Sequence, residues 1–95
     1  MIIAVDFDGT LKASDGTLNL PLIEYLKQQQ YGGASVILWT CREGKRLMDA
    51  VRVCGAAGLC FNAINNNTPE GIRRMGHDSR KIFADLYIDD KSIKP

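Results

Sequence analysis

The sequence contains no apolar segment approaching the roughly 20 residues that a membrane-spanning helix needs. Its first apolar run is interrupted at Asp6, and no basic segment precedes that run, so no signal peptide is expected. An excess of charge of one sign is also missing, since the formal net charge is +1 with 24% charged residues. This balance gives no overall field that would attract nucleic acid or an anionic membrane, and neither partner is expected.

The sequence is also poor in the ligands that zinc prefers. Cys41, Cys54 and Cys60 are odd in number and have no paired CxxC spacing. This cysteine usage is typical of a reduced, cytoplasmic protein. His77 is the only histidine, so a zinc site is not expected.

What remains suits one small globular domain spanning residues 1–95, with 45% hydrophobic residues. Short apolar runs predict strands at residues 2–5, 35–40, 61–64 and 82–88, and helical spacing predicts helices at 21–31, 44–57 and 69–75. This alternation is typical of an α/β fold with a parallel sheet. The segment 12–20 carries a turn signature and predicts a hairpin or flap, which is too small to be a cap domain.

Polar residues follow the predicted strands at their carboxyl ends. Asp6 and Asp8 follow the first strand at positions i and i+2, so their carboxylates project the same way from an extended chain. Thr40 ends the second strand, and Asp89 with Asp90 follows the last. Because ligands bind at the carboxyl edge of an open α/β sheet, these residues are predicted to form one site. Gathered carboxylates repel one another unless a cation is present, and an all-oxygen ligand set favours Mg²⁺.

These residues resemble a known set of motifs. Residues 6–10 (DFDGT) resemble the first motif of the haloacid dehalogenase (HAD) superfamily of phosphatases and phosphotransferases. Thr40 resembles the second motif, and residues 89–90 resemble the fourth. The sequence at residues 37–44 and 84–90 is also similar to that of a group of small capless bacterial HAD hydrolases.

The resemblance implies a role for each residue of the predicted site. Asp6 would be the phosphoryl-accepting nucleophile, and Asp8 would be the general acid and base. The side chain of Asp6, the backbone carbonyl of Asp8 and the side chain of Asp89 would hold Mg²⁺. Asp90 would share the metal or support its ligands. Thr40 would bind the transferring phosphoryl group.

The family's third motif is a basic residue that sequence alone places poorly. Lys81, just before the last strand, is the first choice, and Arg80 is close behind it. Lys91 and Lys45 are weaker options. Lys81 is therefore included among the candidate catalytic residues.

For the fold, the resemblance implies a Rossmann-like three-layer sandwich with a mostly parallel central sheet and no cap. We expect about four strands in the order 4-1-2-3. HAD domains usually carry a fifth strand after the fourth motif, and no such strand is expected in this sequence. Either the sequence is a truncated form or a four-stranded sheet suffices. The exposed sheet edge would then invite pairing with a second copy of the chain.

The predicted function is a Mg²⁺-dependent phosphomonoester hydrolase that acts through an aspartyl-phosphate. Its substrate would be a phosphorylated small molecule or a larger phosphorylated polymer. The alternative is a HAD-like domain that binds metal or phosphate with little or no turnover. A receiver domain is rejected, because its accepting Asp would follow the third strand, where this sequence has Asn65.

Other residues near the predicted site are expected to serve the fold. Trp39 is expected in the core rather than as a stacking surface. Arg42 and Glu43 are expected to cap and solvate the following helix rather than to bind substrate. Residues 65–67, at the end of the third strand, are a weaker option for contacting substrate.

Overall fold

The computed structural model describes residues 1–90. Four strands and three helices alternate in these residues: β1 (Ile2–Val5), α1 (Leu20–Tyr31), β2 (Ser35–Leu38), α2 (Gly44–Ala56), β3 (Ala63–Ile64), α3 (Pro69–Met75) and β4 (Leu86–Ile88). The predicted α/β class is confirmed.

The four strands of residues 1–90 form one sheet in the order β3-β2-β1-β4, and every pairing in it is parallel. This is the predicted order. In the registers, Val5 of β1 lies opposite Leu38 of β2 on one side and Ile88 of β4 on the other. The carboxyl ends of β1, β2 and β4 therefore lie level with one another at one edge of the sheet.

The alternation of side chains along β1 divides the core into two layers. Ile3 and Val5 belong to a cluster that includes Ile23 and Leu26 of α1 and residues of α2. Ile2 and Ala4 belong to a second cluster with Ile82 and Ala84. All four residues of β1 are buried, which explains why the strand is a continuous apolar run.

Several element boundaries differ slightly from those predicted. β2 ends at Leu38 rather than at Thr40, because the backbone N–H of Thr40 donates to the side chain of Asn65 (2.8 Å) instead of to a neighbouring strand. α1 begins one residue before Pro21, and the side chain of Asn19 caps it. Thr68 caps α3 as predicted, accepting from the N–H of Gly71.

The segment between β1 and α1 folds as a small flap, as predicted. Lys12 and Leu18 form an antiparallel bridge, and the N–H of Ala13 donates to the carbonyl of Thr17 (2.7 Å). Among the helices of residues 1–90, none has the length and apolar character needed to cross a membrane.

Candidate functional site

A cavity of about 280 Å³ lies at the carboxyl edge of the sheet, where β1, β2 and β4 end. Its walls contain three of the residues predicted for the site. The lining residues are Ala4, Asp6, Trp39, Thr40, Cys41, Tyr87, Ile88 and Asp89. The structure thus brings Asp6, Thr40 and Asp89 together, although they are far apart in the sequence.

Asp6 lies directly after β1 and is half-buried. Its backbone N–H donates to the carbonyl of Ile88 (2.9 Å), so the sheet ladder holds the residue in place. Its Oδ1 accepts from the N–H of Phe7 (2.8 Å). Burial raises the pKa of the Asp6 carboxyl above its ordinary value, and the nearby charges of Asp90, Asp8 and Asp89 raise it further against the effect of the Phe7 bond.

Asp8 lies outside the lining of the cavity and pairs with Arg42. The Nε and Nη2 atoms of Arg42 donate to the two carboxylate oxygens of Asp8 at 2.9 and 2.8 Å. The guanidinium also lies 4.6 Å from the centre of the Phe7 ring, and only 10% of the Arg42 side chain is exposed. Mainly through its hydrogen bonds, Arg42 holds the pKa of the Asp8 carboxyl below its usual value.

Thr40 is buried and is positioned by Asn65. The side chain of Asn65 accepts from the N–H of Thr40 (2.8 Å) and donates to its carbonyl (3.0 Å). Asn65 adopts a left-handed conformation with φ of 52°, which asparagine tolerates better than most residues. The hydroxyl of Thr40 accepts from the N–H of Arg42 (3.1 Å), a bond that leaves the hydroxyl proton available to donate to a ligand.

Asp89 and Asp90 follow β4 and differ in their surroundings. Asp89 lines the cavity beside Asp6. Asp90 is exposed and lies against Gly9 in the turn after β1. A Cβ atom at Gly9 would lie 2.5 Å from Oδ2 of Asp90, and the φ of Gly9 is +79°. Glycine at this position therefore permits both the turn and the close approach of Asp90.

The structure places Lys81 beside the cavity rather than in its lining. Its Nζ lies 5.6 Å from the centre of the Tyr87 ring, and Tyr87 in turn lines the cavity. Arg80 is exposed. Lys45 lies on α2 and pairs with Asp49 (3.7 Å), and Lys91 is outside the described residues. The assignment of the basic residue thus stays a prediction.

The oxygen atoms at this edge of the sheet are of the kind that a hard cation prefers. In residues 1–90, His, Cys, Asp and Glu side chains form no group of three or more that could hold a metal ion. The predicted set joins the carboxylates of Asp6 and Asp89 to the carbonyl of Asp8. With Asp90 as a third carboxylate sharing the metal it would be such a group, and the described residues do not form one. The predicted set is made entirely of oxygen, as Mg²⁺ prefers. The pKa of Asp6 is raised mainly by burial and further by the nearby charges of Asp90, Asp8 and Asp89, and a bound cation would favour the ionised form.

Two residues assigned to the fold by sequence reasoning, Trp39 and Arg42, contact the candidate site instead. Trp39 is 39% exposed and lines the cavity, so the prediction that it belongs to the core is wrong. Arg42 pairs with Asp8, and Glu43 makes no side-chain capping bond to α2. Asn65, a weaker option for contacting substrate, uses its side chain to bond the backbone of Thr40. The sequence held one local signal of these roles: Trp39 and Arg42 lie on either side of Thr40, which was already predicted for the site.

Comparisons with known proteins place the chain in a family. No protein-family model matches the sequence, and no curated protein matches it significantly. A solved structure of a conserved protein from Bacteroides thetaiotaomicron is 42% identical to this chain, with a TM-score of 0.81. The match covers 98% of this chain and 78% of that one. An identity of this size over nearly the whole domain shows that the chain belongs to the same family as this conserved Bacteroides protein.

Proposed function

We propose that the protein is a Mg²⁺-dependent phosphomonoester hydrolase of the HAD type. The observation that carries the proposal is the meeting of Asp6, Thr40 and Asp89 in one cavity at the carboxyl edge of a parallel sheet. In such a sheet this edge is where ligands bind. The motif resemblance at residues 6–10 supports the same assignment.

The residues divide the reaction between them. A carboxylate oxygen of Asp6 attacks phosphorus, the bond to the leaving oxygen breaks, and Asp8 gives its proton to that oxygen. Water then attacks the aspartyl-phosphate, with Asp8 taking its proton, which releases phosphate and restores Asp6. Thr40 donates its hydroxyl proton to a phosphoryl oxygen. Asp6, Asp89 and the carbonyl of Asp8 would hold Mg²⁺, which offsets the charge of the phosphoryl group.

A second candidate function is a domain that binds metal or phosphate with little turnover. The pair between Asp8 and Arg42 favours it, because a depressed pKa keeps Asp8 ionised and unable to give a proton. The position of Lys81 also favours this second function, because Lys81 does not line the cavity. For the hydrolase, Asp8 must leave Arg42 and take up a proton before it can act as the acid.

Phosphate release from an aryl phosphate separates the two functions. The hydrolase requires release that depends on Mg²⁺, disappears on chelation and is lost in Asp6→Asn. Asp15→Asn is the matched control, because Asp15 is an exposed carboxylate in the flap that does not line the cavity. Retained release in Asp6→Asn would contradict the hydrolase. Magnesium binding without release across a broad panel of phosphomonoesters would establish the second function.

We also propose a cytoplasmic location. All three cysteines, Cys41, Cys54 and Cys60, are free thiols. Cys54 is buried, and burial raises the pKa of its thiol to about 11, which makes it an inert core residue. Fractionation of cells that produce the native protein tests the location.

A further inference from the structure

One side of the cavity is aromatic. Trp39 and Tyr87 both line it, their ring centres are 5.6 Å apart, and their planes meet at 53°. We call these two side chains the aromatic wall. Trp39 directly precedes Thr40, so the aromatic wall adjoins the residue proposed to bind the phosphoryl group.

The aromatic wall is fixed by its surroundings. The hydroxyl of Tyr87 donates to the carbonyl of Ile82 and accepts from the N–H of Ala84 (3.2 Å). The backbone N–H of Trp39 donates to the carbonyl of Val5 (2.9 Å), which anchors it to β1. Trp39 is 39% exposed, so part of its surface in the cavity is accessible to a ligand. Rigid aromatic surfaces bind with little loss of conformational freedom.

We propose that the site selects phosphomonoesters whose leaving group carries a planar aromatic ring, which stacks on Trp39. This inference rests on the proposed function, since it assigns the leaving group of that reaction. A cavity of about 280 Å³ is at the small end of ligand sites and suits one ring system close to the phosphate. Two sources share this chemistry: an aryl phosphate, with the ring on the ester oxygen, and a nucleoside monophosphate, with the ring beyond a sugar.

The binding test uses Asp6→Asn, so that no ligand is turned over. With Mg²⁺ present, phenyl phosphate, adenosine 5′-monophosphate and glycerol phosphate are titrated by calorimetry. Trp39 is the only tryptophan in the chain, so its fluorescence reports the same binding independently. We expect at least one ring-bearing ester to bind roughly tenfold more tightly than glycerol phosphate, as stacking on one aromatic side chain allows. Whichever of phenyl phosphate and adenosine 5′-monophosphate binds more tightly identifies the source of the ring.

Variants of Trp39 in the Asp6→Asn background test whether the preference for ring-bearing esters depends on Trp39. Trp39→Leu should abolish the preference, so that the ring-bearing esters bind no more tightly than glycerol phosphate, and Trp39→Phe should keep most of it. Tyr31→Leu is the control, because Tyr31 is an aromatic residue on α1 that is 97% exposed and outside the cavity. Circular dichroism checks that each variant folds.

Equal affinity for all three esters would overturn the inference, as would a preference that survives Trp39→Leu. Phosphate release by the wild-type chain is measured separately. Release with no ring preference would overturn the substrate class and keep the hydrolase. Ring-dependent binding without release would overturn the hydrolase and keep the assignment of the aromatic wall.

Discussion

Arg42 holds Asp8 by two hydrogen bonds, at 2.9 and 2.8 Å, across 34 positions of the sequence. The pair keeps the pKa of the Asp8 carboxyl below its usual value and so opposes the general-acid role proposed for Asp8. Arg42 therefore favours the ionised form of Asp8. A bound phosphoryl group offers the guanidinium another bidentate partner, which would release Asp8.

We predict that Arg42→Gln moves the pH dependence of phosphate release. Without the guanidinium, the pKa of Asp8 rises toward its ordinary value, so the limb of the kcat/KM profile that belongs to Asp8 shifts to higher pH. Arg46→Gln is the control, because it removes the same charge nearby but leaves both bonds to Asp8. Equal shifts in the two variants would show that overall charge, not the pair, sets the pKa.

Gly9 and Gly16 allow a matched test of the contact with Asp90. Both have positive φ, +79° and +93°, but a Cβ at Gly16 would meet nothing within 4 Å. Each alanine variant should lose about 1 kcal/mol of unfolding free energy through backbone strain, measured by urea denaturation. Only Gly9→Ala also displaces the exposed Asp90, so only it should weaken Mg²⁺ binding in calorimetry. Equal Mg²⁺ affinities in the two variants would exclude a part for Asp90 in holding the ion.

Asn65→Ala should release Thr40 from its position. The variant loses both side-chain bonds to the backbone of Thr40 and places alanine in a left-handed conformation, at a cost of about 1–2 kcal/mol. The affinity for phosphate should fall as well, because Thr40 is no longer held in position. Asn66→Ala is the control, because the side-chain amide of Asn66 donates to the carbonyl of Ile64, two positions earlier, rather than to Thr40. A similar loss of phosphate affinity in both variants would contradict a specific role for Asn65.

Asp6→Asn should raise the melting temperature at neutral pH when a chelator is present. The folded-state pKa of Asp6 is raised, so its ionised form destabilises the fold. This cost is absent below the ordinary pKa and grows as pH rises through the folded pKa. The variant keeps an oxygen for the N–H of Phe7 and should match the wild type near pH 3. Added Mg²⁺ should stabilise the wild type more than the variant, and an equal response would argue against Asp6 as a ligand.

The pair of Asp85 with Arg74 predicts a pH dependence of the opposite sign. Bonds from Arg74 and from the N–H of Ile2 lower the pKa of Asp85 to about 2. A lowered folded-state pKa stabilises the protein above the ordinary pKa, and this stabilisation is lost as pH falls toward about 2. Asp85→Asn should therefore be less stable than the wild type at pH 7, with a difference that shrinks in acid. Melting temperatures from pH 7 to pH 2 measure it.

The amino-acid sequence by itself determined the class of fold and the edge at which the candidate site lies. These two features follow from local patterns, whereas the order of the strands was expected from the motif resemblance. A continuous apolar run predicts a strand buried on both faces, as at Ile2–Val5. Glycine and proline indicate where the neighbouring elements begin and end. Once the strands are parallel, the residues that follow them must share an edge, which is why Asp6, Thr40 and Asp89 meet.

Only the tertiary structure decided which partners the side chains at that edge have. Arg42 could not be paired with Asp8, nor Asn65 with Thr40, because each bond joins residues 34 or 25 positions apart whose relative orientation depends on the packed sheet. The exposure of Trp39 could not be predicted either, since a tryptophan at the end of an apolar run is expected in the core until the end of β2 is known. Periodicity determines which way a residue faces within its own element, and long-range packing determines what it meets there.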